Sequence, residues 1–169
     1  MKNMNITFEK VEKNGDITAL AALANQIWHE YFPCILTEAQ IDYMVEKFQS
    51  APAMEQQIAS AGYEYYFICK DGVRVGYTGF VREEEKMFLS KLYLKKEYRG
   101  QGIASRAFEF LEQECRRSGL RAIYLTVNRH NDNTIAVYEK KGFHTVKEQA
   151  ADIGCGYVMD DYVMEHNVV

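Results

Sequence analysis

Residues 88 to 107 read Phe88-Leu89-Ser90-Lys91-Leu92-Tyr93-Leu94, then Lys95-Lys96-Glu97, then Tyr98-Arg99-Gly100-Gln101-Gly102, then Ile103-Ala104-Ser105-Arg106-Ala107. Phe88 to Leu94 has the length and the aromatic and aliphatic content of a buried strand, which the charged triplet ends. Two glycines one residue apart let the backbone turn sharply and leave its N–H groups uncovered by side chains. Ile103, Ala104, Ala107, Phe108, Leu111 and Cys115 then recur at helical spacing, and Gly119 supplies the stop. Strand, Gly-rich turn and helix start in this order gather the N–H groups of the first helical turn. With the helix dipole they suit an anion, most often a phosphate.

Spacing separates the proteins that use this device. A P-loop needs Gly-Lys-Ser/Thr at its end, and none follows Gly102. A dinucleotide fingerprint wants a third Gly where Ser105 sits and an acidic residue where Asn128 sits. Arg99-Gly100-Gln101-Gly102-Ile103-Ala104 instead resembles the Arg-x-x-Gly-x-Ala pyrophosphate signature of the GNAT superfamily of acetyl-CoA-dependent N-acetyltransferases. Downstream, Asn131-Asp132-Asn133-Thr134-Ile135-Ala136-Val137-Tyr138-Glu139-Lys140-Lys141-Gly142-Phe143 is similar to the Asn-x-x-Ala-x-x-x-Tyr-x-x-x-Gly-Phe segment of that family, with Thr134 where Ala is usual. The resemblance runs from about Phe80 to Phe143, and the N-terminal third follows it in outline.

With 169 residues the chain is long enough to bury about two thirds of the surface its unfolded form exposes, so residues 1–169 are expected to form a single domain with one core. The 47% hydrophobic and 26% charged composition is that of a globular protein. No apolar run approaches the roughly 18 to 20 residues that span a bilayer, and Met1-Lys2-Asn3-Met4-Asn5 is unlike a signal peptide, so the expectation is a cytoplasmic protein with no membrane partner. The net charge of -4 disfavours long-range attraction to nucleic acid. Cys34, Cys69, Cys115 and Cys155 form no Cys-x-x-Cys pair and read as small buried hydrophobes in a reducing compartment. The four histidines show no metal-ligand spacing, so no metal is expected.

Along the chain, Ile6, Phe8 and Val11 suggest a strand, and Gly15-Asp16 a break before a helix from Ile17 to about Tyr31 that Pro33 ends. Thr37 with Gln40 marks a second helix, and Ala53 to Ala61 a short third. Tyr63–Cys69 and Val73–Val81 read as strands joined at Asp71-Gly72, a strong hairpin signal. After the central strand and helix come a strand at Ala122–Val127, a helix around Ile135–Lys140 closed by Gly142, and strands at Phe143–Gln149 and Tyr157–Glu165. The order is α/β or α+β. The resemblance implies the GNAT fold: a single mixed, mostly antiparallel central sheet, flanked by helices and splayed between its fourth and fifth strands.

The resemblance implies acetyl-CoA as cosubstrate and direct transfer to a primary amine in a ternary complex. Gly100, Gln101, Gly102, Ile103, Ala104 and Ser105 would hold the pyrophosphate through main-chain N–H groups, with Arg99 adding charge. The pantetheine arm would pair with Leu92-Tyr93-Leu94 as an extra strand does, and the Leu94 N–H would face the developing oxyanion. Tyr138 is the candidate acid, since a phenol of pKa about 10 can protonate a leaving thiolate; the alternative is a structural tyrosine. Asn131 has two readings, a helix cap or a contact to the pantetheine amide. Lys140 either reaches a cofactor phosphate or lies on a solvated helix face. Glu83, Glu84 and Glu85 near the central strand, and His29 and Glu30 in Trp28-His29-Glu30-Tyr31-Phe32, are considered as the base, and none is chosen.

The segment from Asp152 to Tyr162 looks like the ending of PaiA-type polyamine acetyltransferases, and Asp152, Asp160 and Asp161 with Glu30 would suit a polycation. A small-molecule amine is the expected partner, a polyamine its sharper form, and a homodimer the default for the superfamily. Two other classes compete: a non-catalytic acyl-CoA-binding or regulatory module, or acetylation of a protein or peptide amine. A nucleotide-dependent oxidoreductase is disfavoured by the missing third Gly. Cys115 falls deep in the central helix, which gives an acyl-cysteine route little support.

Overall fold

A computed structural model describes residues 5–169, so the first four residues of the polar start lie outside the described residues. The elements are β1 (Ile6–Lys10), α1 (Asn14–Tyr31), α2 (Glu38–Phe48), α3 (Ala51–Ser60), β2 (Tyr63–Lys70), β3 (Val73–Arg82) and β4 (Lys86–Leu94). A 3-10 turn (Lys96–Tyr98) follows, then α4 (Ile103–Arg117), β5 (Ala122–Asn128), α5 (Asp132–Lys140), β6 (His144–Gly154) and β7 (Tyr157–Asn167). The strands form one sheet in the order β1-β2-β3-β4-β5-β7-β6. β4 and β5 run parallel, in the register Lys86↔Ala122 to Phe88↔Tyr124. The pairs β1–β2, β2–β3, β5–β7 and β6–β7 are antiparallel. This is the mixed, mostly antiparallel sheet expected for the GNAT fold.

The chain divides into two compact units, one made of the chain up to Val81 with Lys91–Phe110, the other of Arg82–Ser90 with Leu111–Val169. In the first unit, Lys70 pairs with Val73 across a two-residue loop in which Asp71 and Gly72 have φ of 51° and 80°. Two positive φ values are what a type I′ hairpin needs, and Asp-Gly supplies them at little strain. Ile6, Ile68, Val75, Leu94, Ile103 and Ala107 form a buried cluster, with Phe8, Leu92, Tyr98 and Ala104 packed against it. Each fully buried aliphatic side chain contributes about 1.5–3 kcal/mol, which fixes the start of α4 beside the end of β4.

A directional chain of buried hydrogen bonds ties the helices to the sheet in this unit. Trp28 Nε1 donates to the Tyr77 hydroxyl at 2.8 Å, and Tyr77 donates to Gln49 Oε1 at 2.7 Å. Gln49 Nε2 donates to the Tyr65 hydroxyl at 3.3 Å, and Tyr65 to Gln57 Oε1 at 2.5 Å. Gln57 Nε2 ends the chain on the Phe48 carbonyl at 2.8 Å. Burial pushes the phenol of Tyr77 well above its ordinary pKa, and that of Tyr65 upward as well, so both remain neutral donors.

In the second unit α4 ends in a left-handed Gly119 (φ 72°), with the Leu120 N–H returning to the Cys115 carbonyl at 3.0 Å. α5 ends the same way: Gly142 has φ 98° and the Phe143 N–H reaches the Tyr138 carbonyl at 3.0 Å. Both are αL closures of the kind glycine favours. A Cβ on Gly142 would stand 2.8 Å from His166 Nδ1, so the turn also packs tightly on β7.

Several expectations are corrected. Helix α1 begins at Asn14, with Gly15 inside its first turn rather than before it, because Asp16 accepts the Lys13 N–H at 3.3 Å and closes the helix start. α3 begins at Ala51, two residues early, because Ser50 accepts the Ala53 N–H at 3.4 Å and Pro52 sits in the first turn. β6 runs on to Gly154, since β7 pairs with it through Ala150↔Asp160 and Ala151↔Met159 as far as a Cys155-Gly156 turn. The cysteines are not uniformly buried: Cys69 and Cys115 are, while Cys34 and Cys155 are exposed. Cys34 sits just past the end of α1 and Cys155 at a hairpin tip, where no core exists to cover them.

Candidate active site

The Gly-rich turn is built entirely within the first unit. Gly100 and Gly102 have φ of 75° and 85°, a region where a side chain strains the backbone, and a Cβ on Gly100 would meet nothing within 4 Å. Gly100, Gln101 and Gly102 are all exposed. The Arg106 N–H bonds the Gly102 carbonyl at 3.4 Å at the start of α4, the end of a helix whose first N–H groups face away from its own ladder. Ile103 and Ala104, both facing the buried cluster, and Ser105 make up the first turn of α4. The exposed Gln101 side chain is engaged by its own chain, accepting from Lys70 Nζ at 2.8 Å and donating to the Glu97 carbonyl at 3.1 Å. Its contribution to a ligand would be its main chain.

Arg99 completes this half. Its Nε donates to the Leu94 carbonyl at 3.1 Å, its guanidinium carbon stands 5.0 Å from the centre of the Tyr31 ring, and its Nη2 is buried with no acceptor among the described residues. A buried guanidinium donor lacking a partner fits an anionic ligand, because an oxyanion satisfies it with a charge-assisted hydrogen bond. The donor set of this turn thus suits a diphosphate.

Leu92, Tyr93 and Leu94 are the last residues of β4. A Cβ added to Gly76 would lie 2.3 Å from the Tyr93 carbonyl oxygen and 3.1 Å from Leu94 Cα, so β3 and this end of β4 approach closely because position 76 has no side chain. The Thr78 hydroxyl donates to the Lys91 carbonyl at 2.7 Å and the Lys95 N–H to the Val75 carbonyl at 2.8 Å, which pins the segment at both ends. Tyr93 sits in an aromatic cluster with ring centres 5.7 Å from Trp28, 5.5 Å from Tyr31, 6.0 Å from Phe32 and 5.7 Å from Tyr77. Sequence reading missed Tyr31 and Tyr77 as neighbours of this strand; the aromatic run Trp28 to Phe32 was the signal that pointed to it.

The remaining predicted residues lie on the second unit. Tyr138 is half-buried on α5, its ring 5.6 Å from that of Phe143. Asn131 precedes α5, and its carbonyl accepts the Ile135 N–H at 3.0 Å, but its side chain makes no capping hydrogen bond. The capping reading of its side chain is thereby corrected: with ψ near 65° the residue departs from the extended conformation that aims a side-chain cap. Lys140 is exposed in the last turn of α5.

Four of the candidate bases, His29, Glu30, Glu83 and Glu85, are engaged, and Glu84 lies exposed in the bend before β4. His29 Nε2 lies 2.6 Å from Asp42 Oδ1 and Nδ1 2.8 Å from the Asn25 carbonyl. Both ring nitrogens face acceptors, so the imidazolium is favoured; the Asp42 hydrogen bond first, then that to Asn25, raises its pKa. Glu30 accepts from the Lys96 N–H at 3.3 Å and from Gln26 Nε2 at 3.1 Å. Glu83 accepts from the Tyr124 hydroxyl at 2.6 Å, and Glu85 pairs with Arg121 at 3.5 Å, both at the start of β4.

The acids suggested for a polycation are similarly occupied. Asp160 Oδ1 is 2.8 Å from Arg129 Nε, Asp161 is buried, and Asp152 Oδ1 accepts the Gly154 N–H at 2.8 Å. Cys115 is buried against the Leu120 and Ala122 carbonyls, and burial raises its thiol pKa, so it is not poised as a nucleophile. Among the described residues no helix is long and apolar enough to cross a membrane, and no group of three His, Cys, Asp or Glu could hold a metal ion.

The fold is shared with known N-acetyltransferases. The chain is 23% identical to an uncharacterised N-acetyltransferase of Lactobacillus delbrueckii subsp. lactis, over 82% of this chain and 85% of that one. Its fold is that of the PaiA N-acetyltransferase of Thermoplasma acidophilum, crystallised with coenzyme A, at a TM-score of 0.78 and 21% identity over 97% of this chain and 99% of the other. Spermidine/spermine N-acetyltransferase SpeG of Vibrio cholerae shares the fold at a TM-score of 0.66 and 16% identity, over 96% and 92%. The acetyltransferase (GNAT) family profile matches residues 20–143, from within α1 to the closure of α5 and including the Arg99–Ala104 turn, and the chain belongs to that family of N-acetyltransferases.

Proposed function

We propose that the chain is an acetyl-CoA-dependent N-acetyltransferase that passes the acetyl group directly to a primary amine of a small molecule, working as one domain in the cytoplasm. The observation that carries the reading is the turn beyond β4: two left-handed glycines in an exposed Gly100–Gly102 stretch, and the buried Arg99 Nη2 with no acceptor among the described residues. Acetyl-CoA is the cosubstrate typical of the family and supplies an activated acetyl thioester.

In this reading Gly100 to Ser105 and Arg99 bind the diphosphate, and Leu92 to Leu94 align the pantetheine arm, with Asn131 and Lys140 as further contacts. The Leu94 N–H donates to the acetyl oxygen as negative charge builds on it, and the close packing of Gly76 on Tyr93 and Leu94 fixes that donor in advance. Tyr138 gives its hydroxyl proton to the departing thiolate. An alkyl amine is mostly protonated at neutral pH, so the reacting fraction is the free amine, and activity rises with pH through the amine's own titration.

The sharper form of the proposal is a polyamine acceptor, which the likeness to SpeG supports. Since Asp160 is paired with Arg129, Asp161 is buried, and Asp152 and Glu30 each accept a main-chain N–H, the acids do not carry that form by themselves. Thiol release from acetyl-CoA, followed over spermidine, spermine, aminoglycosides, amino acids and peptides, tests it. Turnover of amines other than every polyamine would remove the polyamine, and no turnover of any amine by a protein that binds coenzyme A would favour a binding module. In an active enzyme, Tyr138→Phe should lower kcat by about 10²- to 10⁴-fold with acetyl-CoA affinity kept.

A further inference from the structure

We infer that Tyr31 is a positioning residue for cosubstrate binding: its ring holds the Arg99 guanidinium in the one pose that keeps Nη2 presented to a diphosphate oxygen. The inference rests on the acetyl-CoA reading and deepens it.

A guanidinium on a flexible stem binds an anion well only if its orientation is fixed beforehand. Two contacts fix Arg99. Its Nε is held by the Leu94 carbonyl at 3.1 Å, and its guanidinium carbon lies over the Tyr31 ring, 5.0 Å from the ring centre and inside the range of a cation–π contact. With these two contacts made, Nη2 is left buried and without an acceptor among the described residues. Such a donor is costly in isolation, and a diphosphate oxygen satisfies it with matched geometry and charge.

Tyr31 is itself well held. It is the last residue of α1, with its ring edge-on to Phe32 at 4.9 Å and to Tyr93 at 5.5 Å. The neighbouring Glu30 carboxylate accepts the Lys96 N–H at 3.3 Å, which ties the end of α1 to the 3-10 turn leading into Arg99. The ring is therefore a fixed surface rather than a mobile one.

Dissociation constants for coenzyme A and for pantetheine, which lacks the phosphates, test the inference in wild type, Tyr31→Phe, Tyr31→Leu and Arg99→Lys. Tyr31→Leu removes the ring face and should weaken coenzyme A by roughly three- to tenfold while leaving pantetheine unchanged. Tyr31→Phe keeps the face and should stay within about twofold of wild type. Arg99→Lys keeps the charge but loses the flat fork, so it should weaken coenzyme A at least as much as Tyr31→Leu, and it gives the answer should Tyr31→Leu not fold. Equal losses for both ligands, or unchanged coenzyme A binding in Tyr31→Leu or Arg99→Lys, would overturn the role of Tyr31. A wild-type protein that binds coenzyme A no better than pantetheine would instead remove the diphosphate reading beneath it.

Discussion

Replacing Gly76 with Ala adds a single methyl group where β3 meets the end of β4. The new Cβ would lie 2.3 Å from the Tyr93 carbonyl oxygen, 2.7 Å from Leu94 Cδ2 and 3.1 Å from Leu94 Cα, whereas ordinary contact begins near 3.4 Å. The Leu94 methyl can rotate away; the backbone oxygen cannot. Strand β4 must therefore retreat by about 1 Å at Tyr93 and Leu94, or β3 must bend. Overpacking of this kind costs about 1–3 kcal/mol, which for a chain of this size lowers Tm by roughly 3–10 °C. The displaced segment is the one proposed to carry the oxyanion donor, and a shift of that size in positioning groups can cost up to about 10²-fold in kcat.

Gly15→Ala is the matched control. Its Cβ meets nothing within 4 Å, and it lies in the first turn of α1, so it should be neutral or stabilise by about 0.4–1 kcal/mol. Thermal melts of both variants, with acetyl-CoA turnover for Gly76→Ala, check the reasoning. A Gly76→Ala protein that melts within 1 °C of wild type on the order of experimental error, with kcat retained, would refute it.

Three further outcomes are expected. Tyr77→Phe leaves Trp28 Nε1 and Gln49 Oε1 buried without their partner, so chemical denaturation should show a loss of roughly 2–5 kcal/mol; a loss below about 0.5 kcal/mol would mean the buried chain is not needed. The folded pKa of His29 is raised above its ordinary value, so the clip to Asp42 stabilises α1 against α2 below about pH 6.5 and is lost as pH rises through the raised value. Asp42→Asn should accordingly lower Tm more at acid than at alkaline pH, and an equal deficit at pH of about 5.5 and about 8.5 would contradict the assignment. Any side chain at Gly142 must take φ 98° and displace His166, so Gly142→Ala should loosen the end of α5, seen as faster amide exchange around Tyr138.

The parts of the structure that local chemistry dictates were legible in the sequence. Asp71-Gly72 had to be a tight turn because both residues take positive φ, and Thr37 had to open a helix because its hydroxyl meets the Gln40 N–H. The apolar run to Leu94 and the glycines after it placed the central strand and turn for the same reason. What was not legible is set by partners distant in the chain. Ala150, Ala151 and Asp152 have little strand preference, and β7 recruits them into a ladder. Tyr31 and Arg99 are 68 positions apart, the span given by their numbers, and only the tertiary fold brings the ring to the guanidinium. Arg129 was passed over in the sequence, yet it neutralises Asp160, one of the acids assigned to a polycation.

Main-chain N–H groups after Arg99 are proposed to bind the diphosphate of the cosubstrate. Backbone amide shifts recorded while coenzyme A is titrated into the protein test it most directly. The account predicts that the largest shifts fall on Gly100 to Ser105, with the Leu94 amide moving when acetyl-CoA replaces coenzyme A. Unmoved amides from Gly100 to Ser105, at a coenzyme A concentration that saturates changes elsewhere, would contradict it.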